Sequence, residues 1–202
     1  MIYFTAALLV PLVAMAYGES AARHNLPQAI HTKERIWIAM TTDGNDTDSG
    51  INRCHYTLFN FQEGSTFEFD EYYKERRSWR KNHLYGNVND PKEGKSSFTV
   101  QRQQGTDWRN YIVEFWDDNT KCAVLSYTTD DVKNCQIIVW ESKLPQSGYQ
   151  FNCEHRYDEI CEGLPKHSLY EHDCLRQRDE FLREENDLAS RLGQHATEGR
   201  SS

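Results

Sequence analysis

Five of the six cysteines lie between residues 122 and 174, and this spacing constrains the fold more than any other feature of the chain. Residues 121–128 and 135–140 each alternate between two faces, with a cysteine on one of them. Residues 153–161 lack this alternation and space their apolar side chains along one helical face. The pattern therefore predicts two strands followed by a helix that lies against them.

The first residues have the pattern of a secretory signal peptide. An uncharged apolar run follows Met1 and reaches Ala14-Met15-Ala16, a small-x-small cleavage pattern. This run is too short for a membrane span. We therefore expect a signal peptide over residues 1–16, a barrel domain over residues 17–174 and a charged extension over residues 175–202 that is partly helical or disordered. The mature protein is expected to be secreted and extracellular.

Six cysteines in such a chain predict three disulfides, although spacing alone does not choose among the pairings. If Cys122 and Cys135 reach cysteines on the helix, the opposite strand faces point into another enclosed space. That arrangement indicates a barrel with the helix outside. The face argument narrows the pairings, and we favour Cys122–Cys153, Cys135–Cys161 and Cys54–Cys174.

Short strand patterns at hairpin spacing fill the chain from Glu34 to Trp140. Eight of them begin near residues 34, 52, 66, 79, 96, 108, 121 and 135. This order predicts an all-β, eight-stranded antiparallel up-and-down barrel with a C-terminal α-helix packed outside, wide enough for one small ligand. Asn45 begins a glycosylation sequon in a loop after the first strand.

A formal net charge of −8 argues against nucleic acid or an acidic membrane surface as a partner. The basic run over residues 74–81 fits a solvated strand edge better than an anion site. His155 and Cys161 near Asp158 could resemble a base and a nucleophile, but an even number of cysteines leaves no thiol free. The histidines are scattered, so we expect no enzyme, no metal and no cofactor.

Side chains expected inside the barrel are the candidate ligand contacts. They are Trp37, Phe59, Trp108, Glu114, Tyr127, Ile138 and Trp140. In a small barrel the apolar ones serve equally as core packing. Glu114 lies between apolar neighbours and is either turned to solvent or anchors a cationic or hydroxyl-bearing ligand. Arg80 or Lys81 could meet an acidic head group if their strand faces inward.

Several residues together point to a known family. They are Asp117-Asp118-Asn119 before Cys122, the aliphatic strand ending at Trp140, Cys153, Cys174 and Cys54. With the signal peptide and eight strands, this arrangement resembles the lipocalins, and in particular the tick salivary histamine-binding proteins. The resemblance implies the Cys54–Cys174 and Cys122–Cys153 bridges. It also implies a monomer that evades host defence by sequestering a small mediator such as histamine, serotonin or a lipid.

Two positions depart from the amine binders of that family. Those proteins show Cys-Asp-aliphatic on one strand and Glu-Leu-Trp or Glu-Leu-Tyr on the next, because an ammonium inside a barrel needs a carboxylate. Here the positions read Cys122-Ala123-Val124 and Ile138-Val139-Trp140. The residues therefore favour a lipid over an amine, although Asp43, Asp46 and Asp48 occupy the loop where the family contacts amines. The alternative function is a protein-binding decoy that uses the barrel only as a scaffold. A barrel interior filled by its own side chains would indicate this alternative.

Overall fold

The structure is a computed structural model. It describes Leu26 and residues 30–43, 52–92, 94–103, 106–145 and 150–198. Its strands are β1 (Ile36–Thr41), β2 (Asn52–Glu63), β3 (Thr66–Glu75), β4 (Ser78–Lys92), β5 (Lys95–Gln103), β6 (Thr106–Asp117), β7 (Cys122–Thr129), β8 (Val132–Trp140) and β9 (His167–Ser168). The helices are α1 (Glu154–Ile160) and α2 (Asp173–Glu198), with a 3-10 turn at Glu141–Lys143. The predicted signal peptide and Asn45 lie outside the described residues.

The first eight strands close into an antiparallel barrel. Neighbours from β2 to β8 pair in sequence order, and β1 pairs with both β8 and β2 to complete the ring. The last residues of β1 pair instead with the short β9. The structure thus confirms the eight-stranded up-and-down barrel. No helix in the described ranges is long and apolar enough to cross a membrane.

The three disulfides hold the helices on the outside of this barrel. They join Cys54 to Cys174, Cys122 to Cys153 and Cys135 to Cys161, which confirms the predicted pairing. The strand residues on the opposite faces, including Leu125, Tyr127 and Ile138, pack inside the barrel. The alternation in β7 and β8 therefore separates an inner core from an outer core under the helices.

Trp37 faces this outer core, whereas the sequence reading placed it inside. Its indole Nε1 donates to Glu141 Oε2 at 3.0 Å, and its ring lies 5.4 Å from that of Tyr170. The guanidinium of Arg178, on α2, lies 6.0 Å over the same ring. Its neighbour Ile38 takes the inner face. All six residues of β1 are buried, so no polar alternation marks which face is inward.

The helix α2 packs on the barrel along its first turns. Gln177 and Arg178 are buried, and the ring of Phe181 lies 5.4 Å from that of Trp79. The side chains of residues 183–191 are exposed. The expected extension over residues 175–202 thus begins as part of the packed structure, and its helix is exposed over residues 183–191.

Gly86 allows β3 and β4 to pack closely inside the barrel. It is the cross-strand partner of Phe67, and a Cβ at this position would lie 2.1 Å from the Phe67 ring. A glycine is therefore required for this ring to lie across β4. In that position Phe67 contacts the rings of Phe59 and Phe98, with centroids 5.6 and 6.0 Å away.

Candidate ligand-binding site

The barrel interior encloses a cavity with an open volume of about 80 Å³. Its walls are mostly aromatic and aliphatic, and they include Phe59, Phe67, Phe69, Phe98, Ile138 and Trp140. The wall positions alternate along their strands, so the inner-facing half of each strand pattern builds the cavity. The result is an apolar chamber surrounded by rings that also pack on one another.

One end of the cavity is closed by the segment that precedes β1. Leu26 and Ile30 are only 3% and 7% exposed, and both line the cavity. The chain is held there by Glu34, whose carboxylate accepts from Lys121 Nζ at 3.0 Å and from the Ser142 amide at 2.6 Å. We refer to this as the capped end of the barrel.

Toward the opposite end, the interior carries an inner polar cluster made of His55, Glu71, Asn82, Arg109 and Tyr111. His55 Nε2 lies 3.0 Å from Glu71 Oε1, and Asn82 Nδ2 donates to Glu71 Oε2 at 3.0 Å. Arg109 donates from NH1 to the Tyr111 hydroxyl at 3.1 Å. Glu71 and Tyr111 also line the cavity, so the cluster adjoins the apolar chamber.

The strand register brings these polar side chains together. Glu71 pairs with Thr57 on one side and with Asn82 on the other. His55 and Arg109 stand near the beginnings of β2 and β6, which meet the end of β3 at the same end of an antiparallel barrel. The cluster is therefore produced by strand ends that are far apart in sequence.

Electrostatic interactions within the cluster keep Glu71 ionised. Burial by itself would raise the pKa of Glu71, but the charge and hydrogen bond of His55, the amide of Asn82 and the charge of Arg109 lower it below its usual value. Burial raises the pKa of the Tyr111 hydroxyl well above its usual range, although Arg109 opposes this rise. The cluster thus contains groups of opposite charge, the Glu71 carboxylate and the Arg109 guanidinium.

The predicted ligand contacts divide among three places. Phe59, Ile138 and Trp140 line the cavity. Tyr127 belongs to the inner core, and the Arg109 guanidinium lies 4.2 Å from its ring centroid. Trp37 is on the outer face, and the side chain of Trp108 lies outside the described residues, as do Asp46 and Asp48. Whether any of these side chains contacts a ligand stays a prediction.

Glu114 also faces outward, because it alternates with the inner residues Tyr111 and Val113. The bulge between Val113 and Phe115 then brings Trp116 to the inner face, so Trp116 does not share the face of Glu114. The Glu114 carboxylate accepts from Ser126 Oγ at 2.7 Å and pairs with Lys95 Nζ at 2.5 Å. Burial would raise the pKa of Glu114, but these two partners lower it below its usual value. The carboxylate is therefore paired on the outer face and does not line the cavity, and whether it contacts a ligand stays a prediction.

The two cations considered for an acidic head group do not enter the cavity. Lys81 faces outward and pairs with Asp70 at 3.0 Å. Arg80 shares a side of β4 with Asn82 but stands at the rim, more than half exposed and bonded to Glu75 at 2.8 Å. The cation that does lie inside, Arg109, was missed.

Strand parity could have identified the inner carboxylate. Phe67, Phe69 and Glu71 alternate on one face of β3, so a face assigned to the two aromatics includes Glu71. The intervening acidic residues, Glu68 and Asp70, take the outer face, where both lie beside His83. Arg109 carried no comparable signal, because the bulged pairing of β5 with β6 begins beside it.

The nucleophile considered in the sequence is engaged in a bridge. Cys161 is bonded to Cys135, so its sulfur is not a thiol. Asp158 pairs with Lys166 at 2.6 Å, and the ring of His155 lies beside Phe115. These residues do not form a catalytic arrangement in the described structure.

An eight-stranded antiparallel barrel with an internal apolar cavity and a disulfide-held helix outside defines a lipocalin, a class that holds small ligands inside the barrel. Within that class, the chain belongs to the tick histamine binding protein family, whose sequence profile matches residues 19–176. No curated protein sequence matches this chain significantly.

Solved structures share the fold at low sequence identity. Japanin from Rhipicephalus appendiculatus, solved bound to cholesterol, has 12% identity and a TM-score of 0.50, covering 71% of this chain and 96% of its own. Apocrustacyanin C2 has 13% identity and a TM-score of 0.49, covering 75% of this chain and 87% of its own. The allergen Per a 4 from cockroaches has 12% identity and a TM-score of 0.49, covering 74% and 90%.

Proposed function

We propose that this chain is a secreted, non-enzymatic binding protein that captures one small apolar host mediator in its barrel and so helps to evade host defence. The observation that carries the proposal is the cavity, whose walls are apolar except for Thr57, Glu71, Gln136 and the Tyr111 hydroxyl. A ligand that buries apolar surface there gains about 25 cal/mol per Å². Membership in a family named for binding supports capture over turnover.

The cavity residues favour a lipid mediator over histamine or serotonin. An ammonium ion moved into the barrel requires a carboxylate partner. Among the described residues that line the cavity, Glu71 is the one carboxylate, and His55 and Asn82 already engage it. The two positions where amine binders carry acids hold Ala123 and Ile138. The cholesterol bound to Japanin, which shares this fold, is consistent with an apolar ligand.

Binding requires the interior to expand. The open volume of about 80 Å³ is small beside the roughly 300–1,000 Å³ of ordinary ligand sites. Leu26 and Ile30 precede the first strand and are not part of the hydrogen-bonded barrel wall. We propose that their side chains withdraw from the capped end when the apolar body of the ligand enters.

Native mass spectrometry of the secreted protein tests this function directly. The protein is titrated with histamine, serotonin and a panel of fatty acids, leukotrienes and sterols. We expect a one-to-one complex with a lipid and no comparable complex with either amine. A nanomolar histamine complex that Glu71→Gln abolishes would overturn the lipid preference, and ligand loss by turnover at far below one protein per ligand would overturn capture.

The small cavity also favours a second candidate function, a protein-binding decoy that uses the barrel as a scaffold. A polar helix stretch over residues 183–191 extends beyond the packed turns, and Leu188 in it is 59% exposed. Such a surface can contact a host protein without any barrel ligand. In the titration above, a protein that stays empty with every small molecule would support this candidate and contradict capture.

A further inference from the structure

We infer that the ligand carries an uncharged, hydrogen-bonding head group, such as a hydroxyl, and that the inner polar cluster selects for it. This inference rests on the proposed function, because it concerns a ligand whose apolar body fills the barrel cavity. It is carried by the position of the cluster, by the opposite charges that it contains and by the hydrogen-bonding groups that it offers.

The cluster and the cavity lie along the same barrel axis. Leu26 and Ile30 close the capped end, whereas His55 and Arg109 stand at the beginnings of strands at the opposite end. Glu71 lines the cavity and bonds within the cluster, so it marks the boundary between the two. A ligand with its apolar body toward the capped end therefore places its head against the cluster.

The cluster contains charges of both signs. The Glu71 carboxylate is contacted by His55 and Asn82 and is subject to the positive charge of Arg109. At the adjoining rim, Arg80 and Glu75 form an ion pair. An ammonium head beside this cluster would meet the like charge of Arg109 and a carboxylate head that of Glu71, whereas a neutral head meets no like charge.

The same groups can bond to a neutral head. Glu71 has carboxylate oxygens that accept, Asn82 has an amide that donates, and the Tyr111 hydroxyl does both. A hydroxyl is the simplest head that donates and accepts at once, so it matches this mixed set. A site that hydrogen-bonds a substrate hydroxyl discriminates strongly against analogues that lack it.

The test uses three ligands that share the same alkyl chain and differ in head group, namely decanol, decanoate and decylamine. Each ligand is titrated into the protein by calorimetry near neutral pH. We expect the wild-type protein to bind decanol tighter than either charged ligand by about tenfold or more. An apolar cavity alone would also prefer decanol, so the decisive measurement is how charge variants change the order.

Glu71→Gln removes the carboxylate from the cluster, and Arg109→Gln removes the guanidinium. We expect the first variant to bind decanoate about tenfold tighter than wild type and decylamine more weakly, and the second to do the reverse. The double variant contains neither charge, so it should return to the wild-type order. Glu114→Gln, on the outer face of the barrel, is the matched control and should leave all three affinities unchanged.

Each outcome decides a separate point. Opposite shifts in the two single variants, with the order restored in the double variant, support the inference. Unchanged ratios in variants that remain folded by circular dichroism overturn it while leaving barrel binding intact. Failure of the wild-type protein to bind any of the three ligands overturns the proposed function itself.

Discussion

Two glutamates on the barrel strands show that the partners of a side chain depend on which face of its strand it occupies. Glu114 is on the outside and bonds to Lys95 and Ser126, whereas Glu71 is on the inside and bonds to His55 and Asn82. In each case burial would raise the pKa and the partners lower it. Both are ionised at neutral pH, yet only Glu71 lies where a ligand in the cavity would meet it.

Gly86 gives the sharpest test at this scale. In Gly86→Ala the new methyl group would overlap the Phe67 ring, so β4 or the ring must move. We expect a loss of about 1–3 kcal/mol in the free energy of unfolding, measured from urea denaturation.

Asn87→Ala, on the exposed side of the same strand, is the control and should cost less than about 0.5 kcal/mol. In a Phe67→Ala background the cost of Gly86→Ala should fall, because the overlapping ring is gone. If Gly86→Ala lowers the free energy of unfolding equally in the wild-type and Phe67→Ala proteins, the Phe67 ring is not the reason that position 86 requires a glycine.

At the scale of elements, α2 divides into a packed part and a solvated part. Its first turns contribute Arg178 to the surroundings of Trp37 and Phe181 to those of Trp79. The disulfide from Cys174 to Cys54 fixes its beginning on β2. The side chains of residues 183–191 are exposed, so we expect these turns to contribute little to the stability of the barrel.

Phe181→Ala and Leu188→Ala form a matched pair that tests this division. Phe181 is half-buried against Trp79, so its loss should cost about 2 kcal/mol of unfolding free energy. Leu188 is 59% exposed on the same helix, so Leu188→Ala should lower the free energy of unfolding by less than about 0.5 kcal/mol. Comparable costs in thermal or urea unfolding would mean that the outer turns are packed after all.

For the whole molecule, charge at the barrel surface and interior makes stability depend on pH. Asp70, Glu71 and Glu114 have pKa values below the ordinary 3.8 of Asp and 4.5 of Glu, since cationic and hydrogen-bonding partners outweigh the effect of burial. In acid the unfolded chain therefore binds more protons than the folded protein. The stabilisation is present above the ordinary pKa values and is lost as the pH falls through the lower, folded ones.

We therefore expect the urea midpoint to be level near neutral pH and to fall steadily below about pH 4.5. Asp70→Asn should reduce the steepness of this fall, because one of the lowered carboxyls is removed. Glu63→Gln, at an exposed strand end, is the control and should leave it unchanged. A midpoint that does not change in acid would contradict the assigned pKa directions.

The candidate site was only partly predictable. The inward positions of Phe59, Ile138 and Trp140 followed from strand alternation. Trp37 was assigned to the wrong face because β1 is buried on both sides, so its sequence has no polar face to orient it. A bulge after Val113 separated the faces of Glu114 and Trp116, and bulges depend on pairing with a neighbouring strand.

By itself, the sequence determined the eight strands, their order, the three disulfides and the helix outside the barrel. These features follow from local alternation and from cysteine positions, which are properties of short segments. Only the tertiary structure decided that Glu71 and Arg109 share the interior and that Leu26 closes the cavity. Those contacts join segments that are distant in the chain, and their register is fixed when the barrel closes.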